Sequence, residues 1–309
     1  MVTRHKRTWR ARLWQLKHAV LQLPRKLRMG YYRMPLQRRL INSCQWNVLI
    51  VLDACRADYY RRRAPEASCV RSLGRDTRQW VIRLCNLAEI RKRMRDILWV
   101  TANPVVDRTL EEIGIAENLD TLKVWETGWS RVGPQDIPTV PPVAVNTSVQ
   151  EYLAAYGQPK HMIIHYVQPH SPYIGEYQLP LAGWGWGEDE MSQEINRLSD
   201  PRDAVGKGFA TWGQVRRAYE SNVELVRIAA RDLRRKLGGN VVVTADHGEI
   251  LGAGGRFGHD PSFCDPELRL VPWHQVRNRA FSPEPVKRMS PNTAQGNQMQ
   301  QKLRALGYM

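Results

Sequence analysis

Residues 241–259 read VVVTADHGEILGAGGRFGH. A β-branched run passes directly into Ala-Asp-His-Gly, then into a glycine-rich loop and a second histidine. Apolar residues without polar alternation suit a strand covered on both faces, as in a parallel sheet. The same pattern recurs in WNVLIVLD, which ends on Asp53, and in ILWVT (97–101), TLKVWE (121–126) and HMIIHYV (161–167). Helical patterns fall between them, over 77–95, 106–116, 146–156 and 211–237, the last stopping at Gly238-Gly239. Alternation of this kind predicts an α/β fold, a doubly wound, mostly parallel sheet with helices on both faces.

Ligands of such sheets bind outside the carboxyl ends of the strands. Two of the runs deliver acids to that edge, Asp53 and Asp246, the second with His247 beside it. A carboxylate there is costly unless a positive charge meets it. Two carboxylates and an imidazole together call for a cation, and hard oxygens with histidine suit Zn²⁺ or Mn²⁺. A lone Asp after a strand is more often a turn or cap residue; the joint pattern carries the reading. His259 follows His247 across a loop containing Gly252, Gly254, Gly255 and Gly258, and His170 follows the strand MIIHYVQ in PHSPY. Glu249 is expected to orient His247. His161 and His165 begin within a strand, so one of them is expected to face the core.

TADHGEILGAGGRFGHD resembles the Asp-His-Gly-Glu signature of the alkaline phosphatase superfamily, especially its sulfatase-like branch. NVLIVLDACRADYY is similar to that branch's first strand with its metal-binding Asp, HYVQPHSPYIG to its middle His segment, and QKLRALGYM to a common sulfatase-type ending. The resemblance runs over residues 46–309 in the expected order. It implies that Asp53, Asp246 and His247 bind one metal together with the nucleophile. His170 and His259 would bind a second metal or contact the transferred group, giving one or two ions. It also implies a nucleophile at the start of the helix after the first strand. In RSLGRDTRQWVIRLC the helical pattern begins near Asp76-Thr77, so Thr77 is the candidate and Ser72 the runner-up. A helix N-terminus favours both an alkoxide and an incoming anion. Arg56 and Arg78 flank this centre and could clamp phosphoryl oxygens; Asn103 in VTANP could reach substrate.

Type I sulfatases convert a Cys or Ser in C-x-P-x-R or a close variant to formylglycine, and Cys55, Cys69 and Cys85 all lack that context. A hydroxyl nucleophile therefore points to phosphate esters: a metal-dependent hydrolase or transferase acting on a phosphorylated alcohol or sugar. The alternatives are sulfate-ester hydrolysis without formylglycine, and a non-catalytic basic protein that binds membrane or nucleic acid.

Composition sets the remaining bounds. The 309 residues carry a net charge of +16, with no Asp or Glu before Asp53 and twelve Lys or Arg in residues 1–40. Subtracting those twelve leaves about +4, ordinary for a soluble domain. Residues 1–43 thus form a basic arm, 44–275 the catalytic domain, and 276–309 a tail packing on it. In the arm, Trp9, Leu13, Leu16 and Val20 recur at helical spacing, which fits an anionic membrane surface or a helix packed on its own domain. No nucleic-acid motif accompanies it, so nucleic acid is not the expected partner. GWGWGEDEMSQ (183–193) reads as a loop or lid. Five cysteines without C-x-x-C spacing argue against a disulfide scaffold. With no export signal or membrane span in evidence, the expected location is cytoplasmic, with membrane contact through the arm.

Overall fold

The computed structural model describes residues 33–133, 136–179, 201–260 and 262–287. Most of the basic arm, the 183–193 loop and the 301–309 ending lie outside these residues.

In chain order the elements are α1 (Gln37–Asn42), β1 (Val48–Asp53), α2 (Ala57–Tyr60), β2 (Ser68–Arg71), α3 (Thr77–Cys85), α4 (Ala88–Arg93), β3 (Ile97–Thr101), α5 (Pro104–Glu112), β4 (Asp120–Lys123) and α6 (Val124–Thr127). There follow β5 (Ser130–Val132), β6 (Ile137–Thr139), α7 (Pro142–Tyr156), β7 (His161–Pro169), α8 (Pro201–Gly206), α9 (Trp212–Arg234), β8 (Asn240–Ala245), β9 (Ile250–Leu251), β10 (Phe257–Gly258) and β11 (Leu270–Arg277). The main sheet has seven strands in the order β2-β11-β8-β1-β7-β3-β4. β8, β1, β7, β3 and β4 are mutually parallel; β11 runs antiparallel to both β8 and β2.

The central strands are the continuous apolar runs. Every residue of β1 and β3 is buried, because helices cover both faces. Neighbouring residues of β7 show this, since successive side chains of a strand point to opposite faces. The His165 ring lies against Trp80 of α3, while the Tyr166 hydroxyl donates to Asn146 of α7 at 2.5 Å. α3 and α5 therefore pack on one face, α7 and α9 on the other. The mixed, mostly parallel sheet with helices on both faces agrees with the sequence reading and is consistent with an alkaline-phosphatase-like architecture.

Several local expectations give way. The 77–95 helix is two helices: Leu87 is extended, and α4 restarts with the Glu89 N–H donating to Asn42 Oδ1. Only the first part of TLKVWE is strand. β4 pairs on one side, through Asp120–Lys123, and the chain then turns so that the Trp125 indole donates to the buried Asp107. β11 carries Pro272 and is buried only over Val271–Trp273, turning polar after that, so it lacks the continuous apolar signature although it pairs on both sides. α9 starts at a capping box, Thr211 with Gln214.

One side chain of α9 fixes the chain after β7. Asn222, fully buried, accepts from the N–H groups of Ile174 and Gly175 and faces the carbonyls of Pro169, His170 and Pro172 with its amide nitrogen. An asparagine supplies both donors and acceptors, so one residue satisfies a loop that leaves the sheet without secondary structure. Asn222→Ala is expected to lower the free energy of unfolding by about 1–3 kcal/mol, measured by urea denaturation.

Candidate active site

The carboxyl ends of β8, β1, β7 and β3 meet at one edge of the sheet, where β1 lies between β7 and β8. β1 ends irregularly: the register with β7 shifts between Leu52 and Asp53, and Ala54 adopts φ 60°. A non-glycine residue in the left-handed region needs support from its surroundings. Here the Ala54 N–H donates to Asp246 Oδ1 at 3.1 Å, and its carbonyl accepts from the buried Tyr219 hydroxyl at 2.7 Å. The same hydroxyl accepts from the Arg56 N–H. Asp246 follows β8, and the next turn must pass close to the 3₁₀ segment near Glu267. A Cβ on Gly248 would lie 2.0 Å from the Glu267 carbonyl oxygen, which explains the glycine of Asp-His-Gly.

Asp246 organises the cluster. Its Oδ1 also accepts from the His247 N–H at 2.8 Å, and its Oδ2 accepts from the Thr77 hydroxyl at 2.8 Å. Thr77 opens α3, whose cap Asp76 accepts from the Gln79 N–H; the hydroxyl therefore sits at a helix N-terminus. His247 uses Nδ1 against the Gly248 carbonyl, 2.9 Å away, which turns Nε2 inward. That Nε2 lies 3.4 Å from each of Asp53 Oδ1, Asp246 Oδ2 and Thr77 Oγ1. Asp53 is held by Asn103, whose amide donates to Oδ2 at 2.6 Å, while Oδ1 has no hydrogen-bond partner.

The electrostatics ask for a cation. Burial alone would raise the Asp246 pKa, but the His247 and His165 imidazoles and the Thr77 hydroxyl hold it well below the usual carboxylate range. Burial alone would lower the His247 pKa, but the Asp246 and Asp53 carboxylates push it up to about 10. Two buried carboxylates thus demand a positive charge beside them, and the raised His247 pKa reports that demand. A divalent ion would meet the same demand. Ligand atoms about 2.0–2.1 Å from a tetrahedral zinc stand about 3.3–3.4 Å apart; His247 Nε2 keeps that spacing to its three oxygen neighbours, whereas Thr77 Oγ1 and Asp246 Oδ2, hydrogen-bonded at 2.8 Å, would have to part. The unpartnered Asp53 Oδ1 fits the same role.

His165 joins this group; the sequence pattern places one of His161 and His165 toward the core without deciding which. Its Nε2 is 3.4 Å from Asp246 Oδ2, and ligand atoms of Asp53, His165 and Asp246 lie within 4.8 Å of one another. His161 does face the interior, against the Trp46 carbonyl. A second group, His170, Glu249 and His259, satisfies the same distance criterion. There Glu249 pairs with His259, whose Nδ1 is 3.0 Å from Oε1, rather than with His247 as expected. The His259 ring lies 4.3 Å from that of His247 and 5.1 Å from that of His170, so the two groups adjoin. Both are able to hold a divalent metal.

A cavity of about 340 Å³ opens onto the cluster, with Asp53, Thr77, Arg78, Asn103, His170 and His259 in its lining. Arg78 is 59% exposed and pairs with Glu112 at 2.8 Å. Asn103 also caps α5 through Oδ1. Arg56 is placed elsewhere: its guanidinium bridges Asp58 and Glu267 and is 13% exposed. Ser72 directs its hydroxyl to the Asp246 carbonyl, behind the cluster. Sequence reasoning missed Gln37, fully buried though it lies in the basic arm. It donates to Thr244 Oγ1 and the Ala245 carbonyl, and accepts from the Leu73 N–H and the Trp80 indole. It thereby ties the end of β8 to the approach to α3.

No family model and no curated protein sequence matches the chain. Solved structures do. The integral membrane protein lipooligosaccharide phosphoethanolamine transferase A (EptA) from Neisseria meningitidis matches with TM-score 0.52 and 16% identity, over 76% of this chain and 48% of that one. The chain thus spans about half the length of that protein. The soluble domain of the same transferase gives TM-score 0.53 and 16% identity over 76% of each chain. The C-terminal periplasmic domain of EcEptC from Escherichia coli, in complex with Zn, matches at TM-score 0.45 and 13% identity, over 75% of this chain and 72% of that one. At these identities the shared property is the fold. The cytoplasmic location expected from the sequence is overturned by the first two matches, an integral membrane protein and its soluble domain. Among the described residues no helix is long and apolar enough to cross a membrane.

Addition of Zn²⁺ or Mn²⁺ at about 100 times its Kd is expected to stabilise the protein by about 2.7 kcal/mol, read as a rise in Tm. Asp53→Asn is expected to abolish that rise and to remove bound metal in elemental analysis.

Proposed function

We propose that this chain is a metal-dependent enzyme acting on phosphate esters, with Thr77 as nucleophile. The observation that carries the reading is the position of the Thr77 hydroxyl. It stands at the N-terminus of α3, bonded to a buried carboxylate, 3.4 Å from His247 Nε2, and faces a cavity. A capping hydroxyl needs none of these neighbours; in α3 the cap is Asp76. The fold similarity to phosphoethanolamine transferases agrees with the reading.

Asp53, Thr77, Asp246 and His247 would hold the ion, with His165 at its edge, and His170, Glu249 and His259 offer a second position. A bound ion would lower the pKa of the Thr77 hydroxyl and offset charge on the phosphoryl oxygens. Asp246 Oδ2 orients the hydroxyl by accepting its hydrogen bond, and with the pKa lowered the proton would pass to water in the cavity. Thr77 Oγ1 then attacks phosphorus in line, and the ester bond to the alcohol breaks. The leaving alkoxide needs a proton. With a single ion bound at the first position, His170 and His259, which line the cavity with Nδ1 engaged by the Ser171 carbonyl and by Glu249, would serve that transfer through Nε2. Water or a second alcohol releases the phosphoryl group from Thr77, by hydrolysis or transfer respectively. N–H groups at the start of α3 favour the anion throughout.

Thr77→Ala is expected to lower turnover by on the order of 10³-fold or more, with Thr77→Ser retaining much of it, on a panel of phosphomonoesters, phosphodiesters and sulfate esters. Preference for sulfate esters on that panel would overturn the reading. His259→Ala is expected to cost about 10²–10⁴-fold with alkyl leaving groups and much less with a 4-nitrophenyl leaving group, which departs without a proton.

A further inference from the structure

The cavity is two-sided in chemistry. Its charged lining lies at the cluster end, where Asp53 is held by Asn103 and Asp76 caps α3. The rest of the lining is largely an apolar wall: Ala102 and Val105, which flank Asn103, with Trp129, Pro138, Val140 and Val167. Trp129 is contributed by the connection between α6 and β5, and Pro138 by β6. Two of these side chains are unusually open for their type, Trp129 at 41% and Val105 at 37% exposure. Exposed indole and valine side chains cost free energy in water, and covering them offsets that cost. Arg78, the cation of the lining, is paired with Glu112. The carboxylates of the lining, Asp53 and Asp76, are engaged by the Asn103 amide and by the Gln79 N–H.

We propose that this wall is the specificity site for the alcohol half of the phosphoester, and that the alcohol it takes is uncharged and apolar. This rests on the phosphoester reading above. The phosphoryl group sits over Thr77, and its alkyl or aryl substituent lies along Trp129 and Val105. An ammonium alcohol such as ethanolamine is discriminated against, because it would surrender its hydration to a wall without an anionic partner. In this respect the chain departs from the phosphoethanolamine transferases whose fold it shares. Trp129 sets the preference by stacking or by apolar cover.

Calorimetric titration of the metal-loaded full-length protein with four non-hydrolysable phosphonates tests this. Benzylphosphonate and hexylphosphonate carry aromatic and alkyl groups, methylphosphonate carries almost none, and 2-aminoethylphosphonate carries an ammonium. At least one of the first two is expected to bind about 10-fold or more tighter than methylphosphonate, and 2-aminoethylphosphonate no tighter than methylphosphonate. The ratio of benzyl to hexyl affinity reports whether aromatic or alkyl alcohols are preferred; either order supports the assignment. Trp129→Ala is expected to weaken the apolar phosphonates about 3–10-fold, leaving methylphosphonate affinity and Tm unchanged, and Trp129→Phe to restore most of the loss. Equal binding of all four, or tightest binding of the 2-aminoethyl compound, overturns the assignment while leaving the phosphoester reading intact. Failure of all four to bind overturns both.

Discussion

The Asp246 carboxylate is the constraint on which the site depends. It is fully buried and takes hydrogen bonds from three separate stretches of chain: the Ala54 N–H after β1, its neighbour His247, and the Thr77 hydroxyl at the head of α3. An ionised group at such a depth is tolerated only when fully satisfied. Satisfying it forces β1 to end in a left-handed turn and α3 to begin within reach of β8. The sheet does not merely expose these residues along an edge. The charge at the end of one strand dictates how the neighbouring segments stop and start.

Much of this was legible because buried parallel strands leave a simple trace. Each apolar run ends where water or ligand begins, so Asp53, Asp246, His247 and His170 declared themselves as polar residues just past a run. Thr77 was legible for another reason, a helical pattern starting after a glycine turn; a Cβ on Gly74 would lie 2.6 Å from the Trp80 backbone nitrogen. His165 hid inside a strand, where a histidine is usually a core residue. Its neighbour across the sheet, Val51 of β1, and the Trp80 ring both look apolar, and only the closeness of β8 brings Asp246 to it. Gln37 was hidden by its surroundings in sequence, among arginines that signal solvent. The pairing of Glu249 with His259 could not be read from spacing, because both residues follow the same turn and the small β9–β10 hairpin decides which imidazole faces the carboxylate.

Similarity to the transferase domain extends to the layered architecture, at 16% identity. Fold alone does not assign chemistry. What distinguishes this chain is the content of its cavity: two adjoining groups of ligand-type side chains at one end and a tryptophan-lined wall at the other. The first concerns the reaction and the second the choice of substrate, and they come in part from different elements. The ligands stand at ends of the central strands, whereas Trp129, Pro138 and Val140 of the wall come from the β5–β6 hairpin and its flanks; Ala102 and Val105 follow β3, and Val167 lies near the end of β7. Such a division lets the hairpin part of the wall diversify without disturbing the charged centre.

Gln37 carries an implication for anyone who shortens this polypeptide. Trimming the cationic leader at residue 43, where composition draws the border, would discard the bracket that joins β8 to α3. The Leu73 amide and the Trp80 indole would then lose their acceptor in a dry interior, one layer beneath the nucleophile. The border drawn by charge and the border drawn by packing differ by at least six residues, and a cut that spares the centre must fall before Leu36, whose carbonyl already anchors the first turn of α1.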